Sequence, residues 1–191
     1  MENKQKHFEG QSVLHIGLTG HRPPKLGGYN IQTPAYAHLQ RDLEQYIEYQ
    51  LQHHDVIVGH SGLALGADTV WSKAILAMRE RYPKRVFFHA EIPMEEQASA
   101  WFKKDDIDFW NLQVNRADFK TVYGRLSDYP ENQRRKMAYV FLNKRNEGML
   151  QHSDVLLAVW DGSTGGTGHA VKYAKKCGLE TVFIDPEKYF G

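Results

Sequence analysis

At 191 residues the chain can form one domain with a full core. Its 41% hydrophobic and 25% charged content is ordinary for a globular protein in water. A formal net charge of +1 gives no global field to attract nucleic acid or an anionic membrane, so neither a nucleic-acid polymer nor a membrane is expected as a partner. The single cysteine, Cys177, excludes an internal disulfide and suits a reducing compartment. No apolar run is long enough to span a bilayer, and the polar start lacks a signal-peptide core, so the expected location is the cytoplasm.

Residues 1–12 read as a short flexible tail and 13–191 as a single domain. Val13 to Leu18 is the first predicted strand. The stretch from Thr19 to Pro34 is rich in glycine and proline and reads as loop. Pro34 opens a helix whose apolar or aromatic positions, Leu39, Leu43, Tyr46, Ile47 and Leu51, follow helical spacing. Val56 to Gly59 is a short buried strand. A turn over Ser61 to Asp68 leads into a helix from Thr69 to Arg81, and Arg85 to Ala90 forms the third strand. Pro93 is expected to start a further helix with Gln97 and Trp101 on one face. Asp118 to Tyr123 reads as a short strand and Gln133 to Gln151 as a long helix, with Met137, Phe141, Met149 and Leu150 as inward candidates. The strand Val155 to Trp160, a glycine-rich turn, the helix Thr167 to Lys176, a Gly178 cap and the strand Thr181 to Ile184 complete the chain. Strands alternating with helices predict an α/β fold, with a doubly wound, mainly parallel sheet covered on both faces.

The most informative segment is Asp161-Gly162-Ser163-Thr164-Gly165-Gly166-Thr167-Gly168-His169, directly after the last buried strand but one. Glycines let the backbone approach a ligand closely, and a helix start offers unpaired N–H groups with the positive end of the dipole. Two further loops follow strands: Thr19-Gly20-His21-Arg22-Pro23-Pro24-Lys25, and Ser61-Gly62 with Gly66-Ala67-Asp68. A doubly wound sheet brings such loops to one rim, where ligands bind. The expected ligand is a small nucleotide. Arg22 and Lys25 are either solvated loop charges or, given their place after a strand beside His21, phosphate contacts. Asp68 is either an early helix acid or a ribose contact, and Arg145 either pairs with a neighbouring acid or reaches a phosphate. Trp101 is either core or a wall on which a base stacks. His21, His60, His89 and His169 follow strand ends, but no metal-binding spacing is present and no metal is expected.

With these residues laid out, the chain resembles the SLOG superfamily of Rossmann-like nucleotide-binding proteins, and within it the YpsA-like branch. The resemblance runs from Val13 to Ile184. It rests on Thr19 to Pro23 with Leu26 to Tyr29, Ser61-Gly62 with Gly66 to Asp68, Gln97, Trp101, and Asp154 to Gly162 with Gly165-Gly166-Thr167. It implies an ADP-ribose-like or nucleoside-phosphate ligand, held as by a sensor or sequestering protein. No cofactor is assigned beyond that ligand, and the resemblance is compatible with a homodimer. The related "lonely guy" enzymes cut the N-glycosidic bond of nucleoside monophosphates. Their catalytic glutamate follows a similar glycine turn, where this chain has Val171 and Lys172. A hydrolase reading therefore needs another acid, with Asp68, Glu91 and Asp161 as candidates.

Overall fold

The chain folds around a six-stranded parallel sheet of order β4-β3-β2-β1-β5-β6. The structure, a computed structural model, describes residues 8–191. The strands are β1 (Val13–Gly20), β2 (Val56–Ser61), β3 (Val86–Ile92), β4 (Phe119–Val122), β5 (Val155–Val159) and β6 (Glu180–Ile184). The helices are α1 (Pro34–Gln50), α2 (Ala67–Arg81), α3 (Lys104–Arg116), α4 (Glu131–Gln151), α5 (Gly166–Lys176) and the short α6 (Glu187–Phe190). Every residue of β2 and β5 is buried, as strands covered on both faces require.

Strand alternation separates two faces of different character. Ile16, Leu18, Ile57, Phe88, Ala90, Leu157 and Val159 point to one face and pack with Leu39, Leu43 and Ile47 of α1 and with Trp71 and Ile75 of α2 in the main core. The other face carries His15, Gly17, His60, His89 and Glu91 beneath α4, and Leu156, which packs with Ala170 and Ala174 of α5. Gly17 lets α4 approach closely, since a Cβ there would lie 2.5 Å from Ser153 Oγ.

All the predicted strands and all but one of the predicted helices occur, with shifted ends. β2 runs to Ser61 and β3 to Ile92, so both reach further towards the rim than expected. The helix expected from Pro93 does not form. Residues 94–100 are a series of turns closed by bonds such as Gln97 N to Met94 O (3.1 Å) and Trp101 N to Ala98 O (3.1 Å), and α3 starts only at Lys104. Within the expected tail, residues 1–7 lie outside the described residues, and Phe8 packs edge-on against Phe87 at 4.9 Å between ring centroids. No helix among the described residues is long and apolar enough to cross a membrane.

Candidate functional site

The sheet order reverses between β1 and β5: the chain leaves β1 towards β2 on one side, while β5 and β6 lie on the other. A doubly wound sheet opens a crevice at this switch, beyond the carboxyl ends of its strands. A cleft of about 430 Å³ lies there. Its walls are the β1 loop from Thr19 to Lys25, the turn Ser163 to Gly168, and the face of α4 carrying Tyr139, Asn143, Asn146 and Met149, with Asp68 and Arg145 also lining it.

The three loops converge on His21. Its N–H donates to Val159 O (3.2 Å), and its carbonyl accepts from Ala67 N (3.1 Å). Its Nε2 lies 2.7 Å from Asp161 Oδ1. Gly66 makes this closure possible: it adopts φ 105°, and a Cβ there would fall 2.4 Å from His21 O. Lys25 Nζ reaches Asp161 Oδ2 (3.0 Å) and Ser163 Oγ (2.5 Å), adding a second tie between the first and third loops. The bonds from Ser163, Lys25 and His21 hold the Asp161 carboxyl well below the usual carboxylate range, against a smaller opposing effect of burial.

Beneath the rim, Arg145 of α4 meets Asp68 in the first turn of α2, with Nη1 3.2 Å from Oδ2; both side chains are buried. Gly62 makes room for that guanidinium, since a Cβ there would sit 0.9 Å from Arg145 Nη1. The Arg145 Nε is buried without a hydrogen-bond partner, one of two such side-chain atoms among the described residues. A buried charged donor left without a partner carries a desolvation penalty. Arg22 also lines the cleft, exposed through its mouth while protein surrounds the guanidinium. Desolvation lowers its pKa, Asp68 opposes that shift, and the Arg145 charge adds to it. Two cations facing one cavity, with the α5 N-terminus opposite, form a receptor for an anion.

The structure thus gathers Thr19, Gly20, His21, Arg22, Asp68, Arg145, Gly165, Gly166 and Thr167 along one cleft. Ser61, Gly62, Gly66 and Ala67 support its floor from behind, and Asp161 with Gly162 forms the latch beside it. Trp101 does not line the cleft. Gln97, quoted with it, donates to Gly62 O (3.0 Å) and accepts from Trp110 Nε1 (3.1 Å), so it fixes the second loop from outside. Sequence reasoning missed Tyr139, Asn143 and Asn146. Their spacing of four and three residues was the available signal, because it puts two amides on the helix face that also carries Met149.

Glu91, the remaining candidate acid, is fully buried on the α4 face of the sheet, away from the cleft lining. His60 Nδ1 (2.8 Å) and His152 Nδ1 (3.2 Å) meet its Oε1, and Tyr123 O–H donates to its Oε2 (2.7 Å). Burial alone would raise the Glu91 carboxyl. The bonds from His152 and His60 and the charges of His60 and His89 outweigh it and hold the group well below the usual range. Of the histidines expected near strand ends, His60 and His89 meet inside the sheet with His15 and His152, while His21 sits at the rim and His169 in α5.

The family model for YpsA, described as the YspA SLOG family, matches residues 16–187. The chain belongs to this family. The SPbeta prophage-derived protein YoqJ of Bacillus subtilis strain 168 is 31% identical over 120 residues, covering 61% of this chain and 68% of that protein. A UPF0398 protein of Bacillus thuringiensis strain Al Hakam is 28% identical over 171 residues, covering 85% and 83%. Two solved structures share the fold. DNA processing protein A from Helicobacter pylori, described with a single-stranded DNA binding mode, superposes with a TM-score of 0.55 at 16% identity over 91% of this chain and 66% of that one. DNA processing protein A from Streptococcus pneumoniae gives a TM-score of 0.58 at 16% identity over 92% of this chain and 54% of that one. Family and fold support a nucleotide-related role in general terms. They also correct the exclusion of nucleic-acid polymers. A protein of this fold is described as binding single-stranded DNA, and a near-neutral total charge does not preclude a local basic cleft.

Proposed function

We propose that the chain binds a small phosphate-bearing nucleotide, ADP-ribose-like or a nucleoside phosphate, in the cleft between β1 and β5, as a sensor or sequestering protein. The observation that carries this reading is the single cleft lined together by Arg22, Arg145 and the glycine-rich start of α5. In this reading phosphate oxygens accept from the N–H groups of Gly165, Gly166 and Thr167 and from Arg22. Asp68 offers its carboxylate to ribose hydroxyls. The base rests against the exposed Tyr139 on the α4 wall rather than on Trp101.

A hydrolytic variant of this reading retains one acid. Asp68 lines the cavity, Asp161 is engaged by Lys25, Ser163 and His21, and Glu91 lies elsewhere. Calorimetry with nucleoside mono- and diphosphates, ADP-ribose, inorganic phosphate and a short single-stranded oligodeoxynucleotide tests the proposal. Sub-millimolar affinity for at least one mononucleotide-sized ligand is expected. Silence across the panel defeats it, and binding of the oligonucleotide alone redirects it to a polymer. Chromatography of the recovered ligand separates binder from enzyme: intact ligand supports the first, released free base the second.

A further inference from the structure

The histidine cluster under α4 is a separate site. His60 comes from β2, Glu91 from β3 and His152 from the residue after α4. Parallel register puts His60 beside His89, two residues before Glu91, so the acid reaches back over both rings. The donor atoms of His60, Glu91 and His152 lie within 4.8 Å of one another. A third imidazole nitrogen, His89 Nε2, stands 3.7 Å from the same Glu91 Oε1.

We propose that His60 Nδ1, His152 Nδ1 and Glu91 Oε1 bind a divalent first-row transition cation, with zinc the ion that best suits the set. Two imidazoles and one carboxylate form a recurring zinc donor set, whereas magnesium and calcium favour all-oxygen sites. Metal–nitrogen bonds of about 2.0–2.1 Å in a tetrahedron put donor atoms roughly 3.3 Å apart. The present separations of 2.8 Å (His60 to Glu91) and 3.2 Å (His152 to Glu91) are already close to that. The side chain of His152 is 32% exposed while those of His60 and Glu91 are buried, so an entry path exists on the His152 side only.

The surrounding shell fits as well. Tyr123 O–H fixes the second carboxylate oxygen, and His15 Nδ1 lies 2.9 Å from His60 Nε2. In the ion-free network the Glu91 carboxylate can only accept, so its Oε1 takes a hydrogen from the Nδ1 of each ring. Coordination requires each ring to give up that Nδ1 hydrogen and to keep one on Nε2. For His60 the Nε2–H then points at His15 Nδ1, 2.9 Å away. A metal-bound imidazole oriented through its second nitrogen is the usual arrangement. The cluster is distinct from the nucleotide cleft and does not depend on the reading given to it.

The test uses the full chain, stripped with a chelator and titrated with Zn²⁺ near neutral pH. One ion per chain is expected at micromolar or tighter affinity, with a melting temperature that rises with zinc concentration. Co²⁺ should give intense visible bands of a low-symmetry, low-coordinate site. His152→Ala removes the one partly exposed ligand and should weaken zinc binding by about tenfold or more, while His54→Ala and Arg22→Ala leave it unchanged. Absence of stoichiometric binding by the wild-type chain overturns the proposal, as does a faint octahedral cobalt spectrum. So does a His152→Ala chain that binds like wild type. If His152→Ala does not fold, His152→Asn takes its place under the same criterion.

Discussion

The two faces of the sheet are built from opposite chemistry. On the α1–α2 side, Ile16, Leu18, Ile57, Phe88 and Leu157 meet Trp71, Leu39 and Ile47 in a continuous apolar layer. On the α4 side the same strands present His15, His60, His89 and Glu91, joined by hydrogen bonds and closed by Tyr123 and His152. The first face gains its free energy from removal of apolar area, which tolerates imprecise geometry. The second holds a buried carboxylate that is stable only while each partner stays in place. Both carry strands into the same rim, so the cleft stands on one robust wall and one conditional wall.

Removing the largest side chain of the apolar face should have the greatest effect on stability. Trp71 is fully buried, and its Nε1 donates to His60 O (2.9 Å). Trp71→Ala is expected to destabilise the fold by about 3–5 kcal/mol in urea unfolding followed by circular dichroism. A loss below about 1 kcal/mol would mean that the apolar layer is not the dominant support. On the opposite face, Glu91→Gln should cost about 1–3 kcal/mol, because one amide oxygen replaces a charged acceptor shared by two imidazoles. Its pH signature is the sharper readout. The Glu91 pKa is depressed in the fold. The stability it contributes is therefore present above the ordinary carboxylate range, about pH 4, and is lost as pH falls below it. Wild type should lose more stability on acidification than Glu91→Gln, and identical acid limbs would refute the assignment.

The contrast between faces also explains what could be read from the sequence. Apolar periodicity locates α1, α2 and most strands, because one-sided burial repeats at a fixed interval. The same rule misleads near Pro93, where Gln97 and Trp101 stand four apart yet belong to separate turns, and Gln97 alone bonds Gly62 from outside. The rim loops announce themselves through glycine. Three long-range facts carry no local signal: the Arg145–Asp68 pair, the room that Gly62 leaves for it, and the Glu91 network. Each depends on residues at least thirty positions apart, brought together by strand register and the placement of α4. Four histidines stand near strand ends in the sequence, but only the register separates His60 and His89 from His21 and His169.

The rim allows the comparison to be separated from stability altogether. Arg22 is exposed and lines the cleft, so Arg22→Ala should leave unfolding within about 0.5 kcal/mol of wild type. The same change should weaken nucleotide binding by about 1.5–3 kcal/mol, roughly tenfold to a hundredfold in calorimetry. Equal affinity would remove Arg22 from the phosphate site and leave Arg145 as the main cation there.

Lys25 supplies the smallest and most discriminating change. It lines the same cleft as Arg22, but its ammonium is already engaged by Asp161 and Ser163. If its main work is to tie the first loop to the third, Lys25→Met keeps the apolar stem and should reduce nucleotide affinity only about two- to threefold. That residual effect should fade as added salt screens the exposed charges, because little of the Lys25–Asp161 contact is shielded from water. A loss as large as that of Arg22→Ala, persisting at high salt, would mean that Lys25 leaves Asp161 to meet the phosphate directly. The latch would then open on binding, and Asp161 would become free to act on the ligand.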